Sequence, residues 1–132
     1  MWRHTLPLDN LTLSEFERTF SFRIEPVFRS FLLEHNCGCV TPGVFSTVKC
    51  ERKLWQLLNF ADRTGTDGAW AINKRLQEQL GPMRIVVGLD IKGNFVCLER
   101  EHKRQKIVVW SHLSGEFEES ILDIPAFLRV IG

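Results

Sequence analysis

Apolar residues in the first third of the chain recur at helical spacing. Leu13, Phe16 and Phe20 share one face, and Ser14 with Glu17 three residues on has the form of a capping box at that helix's start. A second helix is predicted behind Pro26, whose fixed φ suits a first turn. Val27, Phe28, Phe31 and Leu32 give it an apolar face, while Arg29 and Glu34 are left for solvent. Asn36 and Gly38 end it, because both tolerate a left-handed backbone. After Pro42-Gly43 the β-branched run Val44 to Val48 favours a strand. Leu54 to Phe60 fits two descriptions: Trp55, Leu57 and Asn59 alternate as in a strand, whereas Leu54, Leu57 and Leu58 fit a helix. Thr64 to Gly68 reads as a loop. Ala69 to Leu80 reads as a helix with Ala71, Ile72, Leu76 and Leu80 inward and Gly81-Pro82 as its stop.

The second half turns to β. Arg84 to Leu89 is a buried strand, Asp90 to Asn94 a turn, and Phe95 to Leu98 the returning strand. The charged stretch Glu99 to Lys106 connects it to a strand over Ile107 to Trp110. A final helix starts near Glu118 or Ser120 and carries Ile121, Ile124, Phe127 and Leu128. Pro125 interrupts that pattern, so the main helix can begin there, with Asp123 or Ile124 in the preceding turn. No internal repeat, low-complexity tract or linker divides the chain. The expectation is one α+β domain over residues 1–132: a mostly antiparallel twisted sheet with helices packed mainly on one face.

Composition narrows the function classes. At 132 residues the chain can bury a core without disulfides or metal, and its 44% hydrophobic and 25% charged shares are those of an ordinary globular domain. A formal net charge of +1 supplies no global field for nucleic acid or an anionic membrane, so electrostatic recognition requires a local patch. Four cysteines are too few for a disulfide scaffold and read as reduced thiols. No apolar h-region follows the first charged residues, and stretches such as Ile85-Val86-Val87 fall far short of the roughly 20 residues of a membrane span. The expected location is the cytoplasm, with no membrane partner and no direct nucleic-acid partner.

Candidate chemistry meets a simpler explanation at each place. His35, Cys37, Cys39 and Cys50 include zinc-ligand types, yet Cys37-Gly38-Cys39 has one residue between its thiols and no second knuckle follows. Cys97 with His112 is a conceivable nucleophile and base, but Cys97 lies mid-strand, where thiols are inert packing. Asp90 to Asn94 has Lys92 where a calcium ligand belongs, so a turn using Gly93 and Asn94 is preferred. The basic run within Glu99 to Lys106 lacks the aromatics of a nucleic-acid surface and reads as a solvated hairpin loop. Glu116, Glu118, Glu119 and Asp123 form the most acidic segment. They either favour the start of the last helix through its dipole or complement a basic partner. Among the tryptophans, Trp110 is assigned to the core, Trp70 is the better candidate for an exposed anchor, and Trp55 fits either place. Neither a cofactor nor a metal is called for.

Four segments in order resemble the SUKH superfamily, which includes fungal cell-wall assembly regulators and bacterial immunity proteins of polymorphic toxin systems. They are Ile24 to Gly38, similar to a proline, aromatic–basic, Phe-Leu, Asn-Gly-Gly segment; Ile85-x-x-Gly88-x-Asp90-x-x-Gly93-Asn94, similar to an Ile-Gly-x-Asp-x-x-Gly-Asn hairpin; Val108 to His112, similar to a strand ending in Trp-Asp-His; and the closing Phe127-Leu128. The resemblance covers nearly the whole chain, roughly from Ser14 to Leu128. Cys37 and Ser111 depart from the pattern, standing where Gly and Asp are common. The resemblance implies a non-catalytic protein that binds and occludes a cognate toxin, a nuclease being one candidate. A regulatory adaptor without a toxin is the alternative, and an enzyme of unrecognised type the third. Partner contacts expected from exposure and residue type are Trp70, Asp62, Asp67, Glu116, Glu118 and Glu119, with no catalytic residue.

Overall fold

A computed structural model describes residues 2–132. Among them the first half runs β1 (Trp2–Arg3), α1 (Asn10–Thr19), α2 (Pro26–His35), β2 (Cys39–Val40), β3 (Val44–Ser46) and β4 (Glu51–Leu57). The second runs α3 (Ala69–Arg75), α4 (Gln77–Leu80), β5 (Arg84–Asp90), β6 (Phe95–Glu101), β7 (Arg104–Trp110), β8 (Phe117–Glu119) and α5 (Ile124–Ile131). The strands form one open antiparallel sheet in the order β1-β2-β4-β5-β6-β7-β8, with β3 paired to β4. The sheet curls until β3 reaches β8: Thr47 bridges Ser120, and the Val48 N–H donates to the Glu119 carbonyl at 2.9 Å.

Strand alternation sends Leu54, Leu57, Val96, Leu98, Ile107 and Val109 into a core completed by Leu13, Phe16, Phe28, Leu32 and Phe127. The helices pack on this one face, as expected. Trp2, paired with Val40, stacks on His35 of α2; Phe45 meets Phe127 of α5 at 5.0 Å; Phe16 meets Trp70 of α3 at 5.4 Å. From the same face Gln105 of β7 reaches the linker before α2, accepting from the Glu25 N–H at 2.9 Å. Each ring as buried as Phe16, which is 0% exposed, contributes about 2–3 kcal/mol.

Several boundaries differ from the sequence reading. Helix α1 is capped by Asp9, whose carboxylate accepts from the Thr12 N–H at 2.7 Å, and not by Ser14. Glu17 is recruited elsewhere: it accepts from the Ile24 N–H at 2.8 Å and from Arg29 at 3.0 Å, tying α1 to α2. At the end of α2 the left-handed residue is Cys37, φ +65°, and neither Asn36 nor Gly38. Asn36 is instead buried, its side-chain oxygen accepting from the Phe60 N–H at 2.7 Å. The ambiguous Leu54–Phe60 stretch is strand as far as Leu57.

The helix over Ala69–Leu80 divides at Leu76, and Ala71 is only half-buried because Trp70 and Asn73 take the inward positions. Asn73 acts as a substitute strand: its amide accepts from the Val86 N–H at 2.7 Å and donates to the Val86 carbonyl at 3.0 Å. Glu99–Lys106 is not a loop. Strands β6 and β7 continue through it to a turn at His102-Lys103, with His102 at φ +57°. The final helix begins at Ile124, behind Asp123, which accepts from the Ala126 N–H at 2.9 Å. Glu118 belongs to β8 instead, and Ile121 is 64% exposed outside the helix. Proline at 125 suits the first turn and no later position, which fixes this start.

Candidate functional site

The face of the sheet opposite the helices carries a row of register partners: Gln56, Leu89, Phe95, Trp110 and Phe117 on β4 to β8. Phe95 and Trp110 have centroids 5.8 Å apart, and Trp110 stacks on Phe117 at 5.4 Å. Trp110, expected in the core, is therefore half-buried on this outer surface. Between Leu54 and Gln56 the register against β5 shifts by a bulge. Leu54 and Leu57 both point into the core, so the extra residue leaves Trp55 and Gln56 on the outer side. Trp55 is 51% exposed there.

Next to the aromatic row, Arg84 lays its guanidinium 3.9 Å over the Phe117 ring while its Nε donates to Glu99 at 2.5 Å. Beneath this cover Cys97 and its register partner Val108 are fully buried without a helix above them. Desolvation pushes the Cys97 thiol far above its ordinary range, against a smaller opposing pull from Arg84. Further along, Lys106 places its ammonium 3.3, 2.5 and 2.6 Å from carboxylate oxygens of Glu99, Glu101 and Glu119. The Glu101 carboxyl is held below its ordinary value, chiefly by its hydrogen bond from Lys106. These glutamates form the one cluster of metal-ligand type among the described residues, and a lysine of the chain already stands among them. The sequence signal for it was Glu99 and Glu101 on one strand face with Lys106 in register, which a loop reading concealed.

At the opposite end of the strands the family-like motifs meet in a buried polar network. Asp90 accepts from the Lys92 and Asn94 N–H groups at 3.0 and 2.8 Å and from the Asn94 amide at 3.0 Å, confirming a structural turn. The Asn94 side-chain oxygen contacts His112 at both the backbone N–H (3.2 Å) and Nδ1 (2.7 Å). With that oxygen as acceptor, Nδ1 of His112 carries the proton. Arg52 joins β4 to this corner. It donates to Glu118 at 2.6 Å and lies 3.6 Å from Asp90, and Glu118 also accepts from the Thr47 hydroxyl at 3.1 Å.

The residues picked from sequence as partner contacts are not brought to one place. Trp70 is 8% exposed, donates its indole N–H to the Phe60 carbonyl at 2.9 Å and lies under the Arg63 guanidinium. Its expected exposure is corrected: α3 turns it toward Phe16 and Phe20, and Trp55 is the exposed one. Glu118 is likewise 5% exposed, because the middle residue of β8 faces inward toward Arg52. Glu116, just before β8, and Glu119, its last residue, are exposed and paired with Lys49 at 2.8 Å and with Lys106. Asp62 and Asp67 are exposed near α3. Asp62 folds its own loop, and hydrogen bonds from the Thr64 and Gly65 N–H groups lower its pKa.

Cys97 and His112 do not form a pair, since Cys97 is sealed beneath Arg84 while His112 is exposed and engaged with Asn94. His35 stacks on Trp2 at 4.7 Å, and His35, Cys37, Cys39 and Cys50 make no three-ligand cluster among the described residues. No helix among them is long and apolar enough to cross a membrane.

A helix-backed antiparallel sheet whose buried ionisable groups brace the fold, with an aromatic row on the face opposite the helices, defines an α+β domain. The pattern of the SMI1 / KNR4 family (SUKH-1) matches residues 7–129, and the chain belongs to that family. Neither the curated proteins nor the solved structures contain a match.

Proposed function

We propose that the protein is an immunity-type binding protein that neutralises a cognate toxin in the cytoplasm by stoichiometric occlusion, using the outer face of its sheet. Family membership supports the class, since toxin immunity is common among SUKH proteins. One observation carries the choice of face: Trp55 stands 51% exposed beside Leu89, Phe95, Trp110 and Phe117 on the side that no helix covers. Aromatic anchors with a polar rim are what a protein interface requires, and neither acid–base chemistry nor a cofactor enters. Exposed Glu116 and Glu119, before and at the end of β8, border this face and would meet a basic toxin surface. Asp62, Asp67 and the buried Trp70 and Glu118 become indirect supports in this reading.

Co-expression with a candidate toxin from the reading frames adjoining this gene tests the proposal. Growth is rescued, and a one-to-one complex is recovered. Trp55→Ala weakens that complex by at least about 10-fold without changing the fold, as loss of an interface anchor does. Absence of both rescue and complex refutes the function. Full affinity in Trp55→Ala and Trp110→Ala refutes the assigned face alone.

A further inference from the structure

We propose that Cys37 and Cys39 are a redox couple, oxidised to an intramolecular disulfide by a low-molecular-weight disulfide of the glutathione type. This inference stands independently of the toxin reading. Cys37 occupies φ +65°, a backbone region in which every side chain with a Cβ is strained and glycine is not. Both cysteines are half-buried free thiols, in contrast to Cys97, which is sealed and protonated. Both neighbour Gln56 of β4: its amide donates to the Cys37 carbonyl at 3.2 Å and to the Cys37 sulfur at 3.4 Å, and Cys39 is its register partner.

Two residues apart, their Cα atoms are separated by about 7 Å at most, the upper end of what a disulfide spans. The residue between them is Gly38, where an added Cβ would lie 2.8 Å from the His35 carbonyl and 2.9 Å from both Thr5 and Trp2. A short contraction there closes the bridge, at the cost of the single register contact joining β2 to β4. In the reaction one cysteine, as thiolate, attacks glutathione disulfide, forming a mixed disulfide and releasing one glutathione thiol. The second cysteine then attacks the protein-side sulfur of that bond and releases another. The protein loses two electrons and two protons, and the glutathione disulfide gains them.

The test equilibrates the reduced whole protein with mixtures of glutathione and its disulfide, followed by intact mass and peptide mapping under acid quench. The expected product is lighter by about 2 Da, the two hydrogens of a dithiol, with the link inside the 37–39 segment. Cys50→Ser/Cys97→Ser behaves identically. Cys39→Ser stops at a stable glutathione adduct on Cys37. Hydrogen exchange of the oxidised protein shows lost protection at Trp2–Arg3 and Cys39–Val40. Stable adducts on the parent protein, a bridge to Cys50, or thiols that stay reduced at every ratio would each overturn the proposal. So would one equivalent of tightly bound zinc that shields both cysteines.

Discussion

Replacing Arg52 with Met exposes how the curled sheet is held together. Arg52 is 12% exposed and joins two carboxylates whose side chains are 6% and 1% exposed, Glu118 and Asp90. The two acids differ in what they keep when the guanidinium is gone. Asp90 retains three donors, the Lys92 and Asn94 N–H groups and the Asn94 amide. Glu118 retains one, the Thr47 hydroxyl at 3.1 Å. The penalty therefore falls on Glu118 as a buried, nearly unpartnered charge, and removing one member of such a pair costs about 3–5 kcal/mol. The lower end, about 3 kcal/mol, is expected because the Thr47 contact survives. With a urea slope of about 2 kcal/mol/M, the unfolding midpoint falls by about 1.5 M.

Arg52→Met/Glu118→Leu removes both charges, and most of the loss returns, since a packed apolar pair substitutes well for a buried ion pair. A loss under about 1 kcal/mol in Arg52→Met, or a double variant no more stable than the single one, refutes the argument.

Three further outcomes follow from the same structure. Gly88→Ala puts a Cβ 2.8 Å from the Gln56 carbonyl and 3.1 Å from Leu54 beside a bulge, and lowers stability by about 1–3 kcal/mol in thermal unfolding. Unchanged stability would show that the strands part easily. Cys37→Gly relieves the left-handed strain and raises stability by about 1 kcal/mol in urea titrations, less what the Gln56 contact to sulfur contributes. His35 has its pKa lowered from 6.5 by burial, against an opposing pull from Glu34. Its neutral form is thus the one the fold prefers, so its contribution is present above 6.5 and is lost as pH falls through the folded value. His35→Gln flattens that part of the pH–stability curve, and an unchanged curve refutes the assignment.

Much of the fold was legible because hydrophobic period and punctuation agree. Pro26 and Phe28 to Leu32 place α2, Ile85 to Val87 place β5, and Gly93-Asn94 turns it back into β6. The misreadings share a cause: a polar residue whose partner is far away in the chain. Glu17 looked like a cap residue while its partner is Arg29, and Glu118 looked like a helix start while its partner is Arg52, 66 positions earlier. Glu99 to Lys106 looked like solvated loop because its charges neutralise one another across β6 and β7. Local propensity contains none of this, since each pairing exists only once the strands are in register.

The candidate site depended on a subtler feature than residue type. Trp55 and Trp70 are the same residue at the edges of the same segment, and sequence favoured the wrong one for exposure. What separates them is one extra residue in β4. Without the bulge, strict alternation from Leu54 would send Gln56 to the core face and Leu57 outward. The inserted residue keeps Leu54 and Leu57 both inside and puts Trp55 outside, level with the Leu89–Phe117 row. Trp70, by contrast, lies on a helix whose inward arc takes in Ala69, Ile72 and Asn73, so its indole finds the Phe60 carbonyl. Restoring alternation therefore separates the two roles. Deleting Trp55 leaves Leu54 and Leu57 two positions apart, both still inward with Gln56 outward and the register against β5 intact, so β4 persists and only the exposed ring is lost, as in Trp55→Ser. Unfolding of the deletion variant while Trp55→Ser stays folded would refute this account of Trp55 as the inserted residue.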